Sequence, residues 1–199
     1  MPDDVKTHLY RCFSDVPGVE HPPPANRSNV RPGKYGMWPS LDGDGHTSAS
    51  LASQTAGQID WNSVAPGEVA ERLEAVFSLP GTPSDYHFAM LGCYDKLWKR
   101  RGEEPGFFPV IEQVCRLDVQ LFDNHCDEIS FGGRPLPPEN ERRHVRVDAY
   151  RILFRLYLEE GFLPDALDIA SRASRAGQGS SFQDEVNELV QRLVGELSE

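Results

Sequence analysis

No apolar run in this chain approaches the roughly 20 residues that a membrane-spanning helix needs. The opening stretch, MPDDVKTHLYRCF, has neither the basic nor the apolar segment of a secretory signal. A cytoplasmic protein with no membrane partner is the expectation. Cysteine is scarce: Cys12, Cys93, Cys115 and Cys126 stand far apart with no C-x-x-C pair, a pattern that fits neither a zinc ribbon nor a disulfide framework. They read as free thiols, with Cys93 and Cys115 on apolar helical stripes as small hydrophobes. Positive charge is also short. Against 31 Asp and Glu there are 20 Lys and Arg, a formal net charge of −11, the wrong sign for affinity drawn from phosphates or anionic lipid. Nucleic acid is therefore excluded from the expected partners.

What is present divides near Asp60. Residues 1–60 hold seven of the sixteen prolines, the run HPPP, and LDGDGHTSASLASQTAGQ, whose small and polar residues bury little apolar surface to offset chain entropy. This part reads as extended or disordered, and residues 61–199 as a helical domain. Two apolar islands interrupt the first part: VKTHLYRCFSDV, with Val5, Leu9, Cys12, Phe13 and Val16 at helical spacing, and KYGMWPSL, with Tyr35, Met37 and Trp38. Either they dock on the protein's own helices or they are a linear motif for another protein.

From Trp61 onward the punctuation is helical, with no period-two pattern. Pro66 opens a helix whose Val69, Leu73, Val76 and Phe77 form one stripe. Thr82 is a natural N-cap, Pro83 suits the first helical position, Asp85 completes a capping box and Gly102 ends the helix. Tyr86, Met90, Cys93, Tyr94 and Leu97 share a face. In FFPVIEQVCRLDVQLF, Val110, Ile111, Val114, Cys115, Leu117, Leu121 and Phe122 point inward, and Glu112, Gln113, Arg116 and Gln120 outward. SSFQDEVNELVQRLV supplies a last helix. The fold class is all-α, with five or six helices.

The stretch VDAYRILFRLYLEEGFLPDALDIASRASRA reads as a helical hairpin. Tyr150, Leu153 and Tyr157 line its first helix, Gly161 makes the turn with positive φ, and Ala166, Ala170 and Ala173 let the second helix approach closely. This order of aromatic, Leu, aromatic, Gly and Ala positions resembles a tetratricopeptide repeat over about thirty residues. It departs at Phe154, where the family favours a small residue, and after Ala173, where its closing proline is missing. An imperfect second copy runs from Leu91 through Trp98 and Gly102 into Val110 to Leu117. The region from Tyr86 is also similar to the helical segment of uncharacterised bacterial proteins that carry a single such repeat. The resemblance implies antiparallel hairpins and no activity. Repeat arrays usually need three or more units, so the hairpin is either a recognition scaffold or core of a small helical domain.

Candidate chemistry is thin. Asp42-Gly-Asp44-Gly-His46 starts like a calcium loop, but Thr47 and Ser53 stand where glycine and glutamate are needed. The run Asn124-His125-Cys126-Asp127-Glu128 gathers metal-ligating types, yet consecutive side chains seldom converge and no second cluster at i, i+4 joins them. Asp118 sits on an apolar stripe between Val114 and Phe122, where a carboxylate must be paired. Its expected role is a structural anchor to a backbone amide, Arg or Tyr. Residues 124–141, with GG and LPP, exceed the usual helix connection and read as a loop, either binding or linking. No catalytic residue, metal ligand or cofactor is assigned.

The partner-binding expectation rests on Asp148, Arg151, Arg155 and Leu158, which fall away from the Tyr150 stripe. In tetratricopeptide arrays the corresponding positions line the concave groove, and two arginines one turn apart suit an acidic or C-terminal peptide. The competing reading pairs Asp148 with Arg151 and Arg155 with Glu159 as a solvated face. The leading function is thus a non-enzymatic adaptor for a protein or peptide. The alternatives are a small enzyme using Asp118 or the His125–Glu128 cluster, and an acidic accessory or immunity-type protein masking a basic partner.

Overall fold

The computed structural model describes residues 38–41, 46–132, 134–178, 185–188 and 190–191. The first apolar island lies outside these residues, as do Tyr35, Met37 and most of the calcium-like stretch. The protein is all-α: beyond one two-residue antiparallel pairing, Trp38–Pro39 with His46–Thr47, the described residues are helical or irregular. The chain divides after Val145 into two compact units.

In the first unit, helix α1 (Leu51–Gly57) lies inside the run whose composition reads as irregular. Ser50 caps it by accepting the Ser53 N–H at 3.0 Å. Smallness is what lets α1 pack. A Cβ on Gly81 would stand 2.7 Å from the Ala52 Cβ, so glycine at 81 admits Ala52, which is fully buried, while the Ala52 N–H reaches the Pro80 carbonyl at 3.2 Å. A single 3-10 turn, Pro66–Glu68, leads into α2 (Val69–Phe77). There the Glu68 carboxylate accepts the Ala65 N–H at 3.0 Å.

Helix α3 (Pro83–Arg100) begins at the expected capping box: Thr82 Oγ1 accepts the Asp85 N–H, and Asp85 Oδ2 accepts the Thr82 N–H at 2.8 Å. Its Tyr86, Met90, Cys93, Tyr94 and Leu97 are all buried, and the helix packs against α4 (Phe107–Phe131). Arg100 secures the far end of α3, donating to the carbonyls of Trp61 and Val64 at 3.0 and 2.8 Å with its guanidinium over the Phe107 ring. Burial pushes the Cys93 and Cys115 thiols far up, and the negative charge of Asp118 adds to this at Cys115, so both stay protonated packing groups.

The loop expected over residues 124–141 begins later than expected, because α4 continues to Phe131 and closes on left-handed Gly132. Ile129 is buried and gives the extra turns an apolar anchor. The helix is interrupted at His125 (φ −136°, ψ 29°), beside an Asn124 side chain whose amide donates to the Gln120 carbonyl at 2.9 Å, a side-chain intrusion of the kind that breaks a helical ladder.

The second unit is built on α5 (Asp148–Glu159) and α6 (Leu163–Arg175), packed as a hairpin. Tyr150, Leu153 and Tyr157 are buried on one helix, and Ala166, Ala170 and Ala173 on the other. Gly161, at φ 79°, ends α5 as expected: its N–H reaches the Leu158 carbonyl at 3.2 Å and the Phe162 N–H the Tyr157 carbonyl at 2.8 Å, a Schellman stop. Where the repeat pattern would place a closing proline, Gly177 (φ 71°) makes a second such stop, with the Gln178 N–H on the Ala173 carbonyl at 2.7 Å. The buried Gln178 side chain then accepts the Val147 N–H at 3.0 Å, tying the start of α5 to the end of α6.

Candidate functional site

Three groups of side chains bear on function, one in the second unit and two in the first. On α5, burial extends past the expected stripe to Ala149, Ile152, Phe154 and Leu156. What α5 leaves accessible is Asp148, Arg151, Arg155, Leu158 and Glu159, the first four being the residues expected to face a partner. Asp148 accepts from Arg146 Nε at 3.0 Å and pairs with Arg151 at 3.3 Å. Arg155 reaches a residue the sequence reading did not include. Its Nε and one terminal nitrogen meet the two oxygens of Glu185 at 3.2 and 2.8 Å. That hydrogen bonding raises the Arg155 pKa against the opposing effect of burial, with the charges of Glu185 and Glu159 adding to the rise.

In the first unit, Asp118 is fully buried and anchored on two sides. Tyr94 donates its hydroxyl to Oδ2 at 3.0 Å, and His87 Nδ1 lies 2.7 Å from Oδ1. The tyrosine belongs to the expected kind of partner, whereas the histidine was missed. Its signal was available, because His87 and Tyr94 are seven residues apart and so share a face of α3. Burial pulls the imidazole pKa down, but the charge and hydrogen bond of Asp118 outweigh it and leave it raised. With His87 99% shielded and the partners all on α3 and α4, the triad is placed to join two helices.

The run 124–128 splits. His125 turns to Glu128, at 3.2 Å, while Cys126 and Asp127 turn to His144, which arrives on the extended segment before Val145; one ligand atom from each of the three lies within 4.8 Å of the others. Distance in sequence hid this second contributor. An open cleft of about 590 Å³ lies by Ile59, Asp60, Val64, Glu68 and Arg72, but the Asp60 carboxylate there is already engaged by Asn62 at 3.1 and 3.0 Å.

No protein-family model, no curated protein and no solved structure matches the chain. Among the described residues no helix is long and apolar enough to cross a membrane.

Proposed function

We propose that the protein is a non-enzymatic helical adaptor that holds an acidic or C-terminal peptide on the outer strip of α5. The observation that carries this reading is the Arg155 fork. It grips both oxygens of one carboxylate, the planar two-point geometry by which arginine recognises carboxylates. The carboxylate it holds belongs to Glu185, thirty positions along the chain, and a peptide carboxylate would take its place. Arg151 stands one turn away on the same strip, and Leu158 adds an apolar contact. The likeness of the hairpin to a tetratricopeptide unit, whose matching positions line a groove, supports the same placement.

Charge reversal at both positions, Arg151→Glu with Arg155→Glu, is expected to abolish binding of a fluorescent Asp/Glu-rich peptide ending in a free carboxylate, followed by anisotropy. Helicity and melting should barely move. Exposed pairs add only about 0–1 kcal/mol to folding, yet charges of this kind steer association and set its salt dependence. Equal binding by the double variant would remove the groove reading.

A further inference from the structure

We infer that Cys126, Asp127 and His144 form a binding site for a divalent transition ion of the zinc class, with Ser130 orienting the imidazole. This inference is independent of the peptide reading of α5. A thiolate, a carboxylate and an imidazole are the borderline-soft set that suits zinc rather than magnesium or calcium. Ligand bonds of about 2.0–2.3 Å in tetrahedral geometry place donor atoms about 3.3–3.8 Å apart. The three atoms here lie within 4.8 Å of one another, at most about 1–1.5 Å wider than that spacing. All three residues are half-buried, shielded enough to hold an ion and open enough to admit one.

The surroundings are those of a supported ligand. Ser130 stands one turn after Cys126 on the same face of α4. Its hydroxyl accepts the Val145 N–H at 3.1 Å and contacts His144 Nδ1 at 3.2 Å, so one side chain fixes both the ring and the backbone that carries it. Phe122 and Phe131 flank the imidazole edge-on, with centroids at 6.1 and 5.7 Å. The break at His125 re-aims the last turns of α4, and with them Cys126, Asp127 and Ser130 as a group. Deprotonated Cys126 and Asp127 would together balance the charge of the ion beside a neutral imidazole, and three protein ligands leave a fourth position for water.

The test uses the full chain with its thiols reduced. Cobalt(II) titration should saturate at one ion per chain, with a thiolate-to-cobalt charge-transfer band and intense tetrahedral visible bands, and zinc should displace it. Cys126→Ser and His144→Ala are expected to weaken zinc more than 100-fold in competition with a chromophoric chelator, and Ser130→Ala by roughly 10- to 100-fold, as for outer-shell partners elsewhere. Should a variant fail to fold by circular dichroism, the wild-type chain still decides. Zinc should slow alkylation of Cys126, read by peptide mass mapping. A cobalt spectrum without the thiolate band, equal zinc affinity in folded Cys126→Ser and wild type, or equal Cys126 alkylation with and without zinc would each overturn the site.

Discussion

Asp118→Ala is expected to lower the melting temperature by roughly 6–20 °C, the shift that follows from a loss of about 3–5 kcal/mol in a chain of this size. Asp118 is fully buried between α3 and α4, with the Tyr94 hydroxyl at 3.0 Å and His87 Nδ1 at 2.7 Å. Removing the carboxylate strands both partners in a dry interior, which costs more than the bonds themselves contribute. The same triad sets a pH dependence. The His87 pKa is raised in the fold, so its stabilising contribution is fully present below the unfolded histidine value of about 6.5 and is lost as pH climbs through the higher folded value. Thermal melts across that range should show stability falling toward alkaline pH, and Asp118→Asn should flatten the fall. A melting temperature unmoved by Asp118→Ala would mean that the triad does not join the two helices.

Tyr157→Ala is the second large effect, and it acts in the hairpin. The side chain is 3% exposed, and truncating a buried aromatic typically costs about 3–5 kcal/mol. Hydrogen exchange should then rise across the amides of α5 and α6, and peptide binding should fall only in proportion to unfolding. Arg151→Glu with Arg155→Glu predicts the reverse order, binding lost first and exchange unchanged. The contrast separates core from recognition surface within one helix. Unchanged exchange in Tyr157→Ala would place this ring outside the hairpin core.

Which parts of this arrangement were legible in the sequence follows from what periodicity reports. The Thr82 capping box, the stripes of α3 and α4, and the Gly161 stop are local: each is decided by residues within a turn or two, and each stands where the pattern put it. The face of a helix that is buried could likewise be read, but not which side chain stands opposite. Asp118 signalled its need for a partner, whereas His87 lies 31 positions away. Arg155 has Glu159 one turn away on its own helix as the pairing of the competing reading, while the fork closes on Glu185. His144 joins Cys126 and Asp127 only because the chain returns after the end of α4. Helix α1 escaped notice for a different reason: its run is poor in large apolar residues, and its packing depends on Gly81 letting Ala52 in, a fit between small groups that hydrophobic patterning does not register.

Removing the carboxylate that the Arg155 fork already holds shows whether the fork is a carboxylate-binding site. In Glu185→Gln the internal competitor loses its charge, and because exposed pairs of this kind are worth about 0.2–1 kcal/mol, an Asp/Glu-rich peptide with a free C-terminus should bind up to about fivefold more tightly by anisotropy. Weaker or unaltered peptide binding in Glu185→Gln would contradict the account.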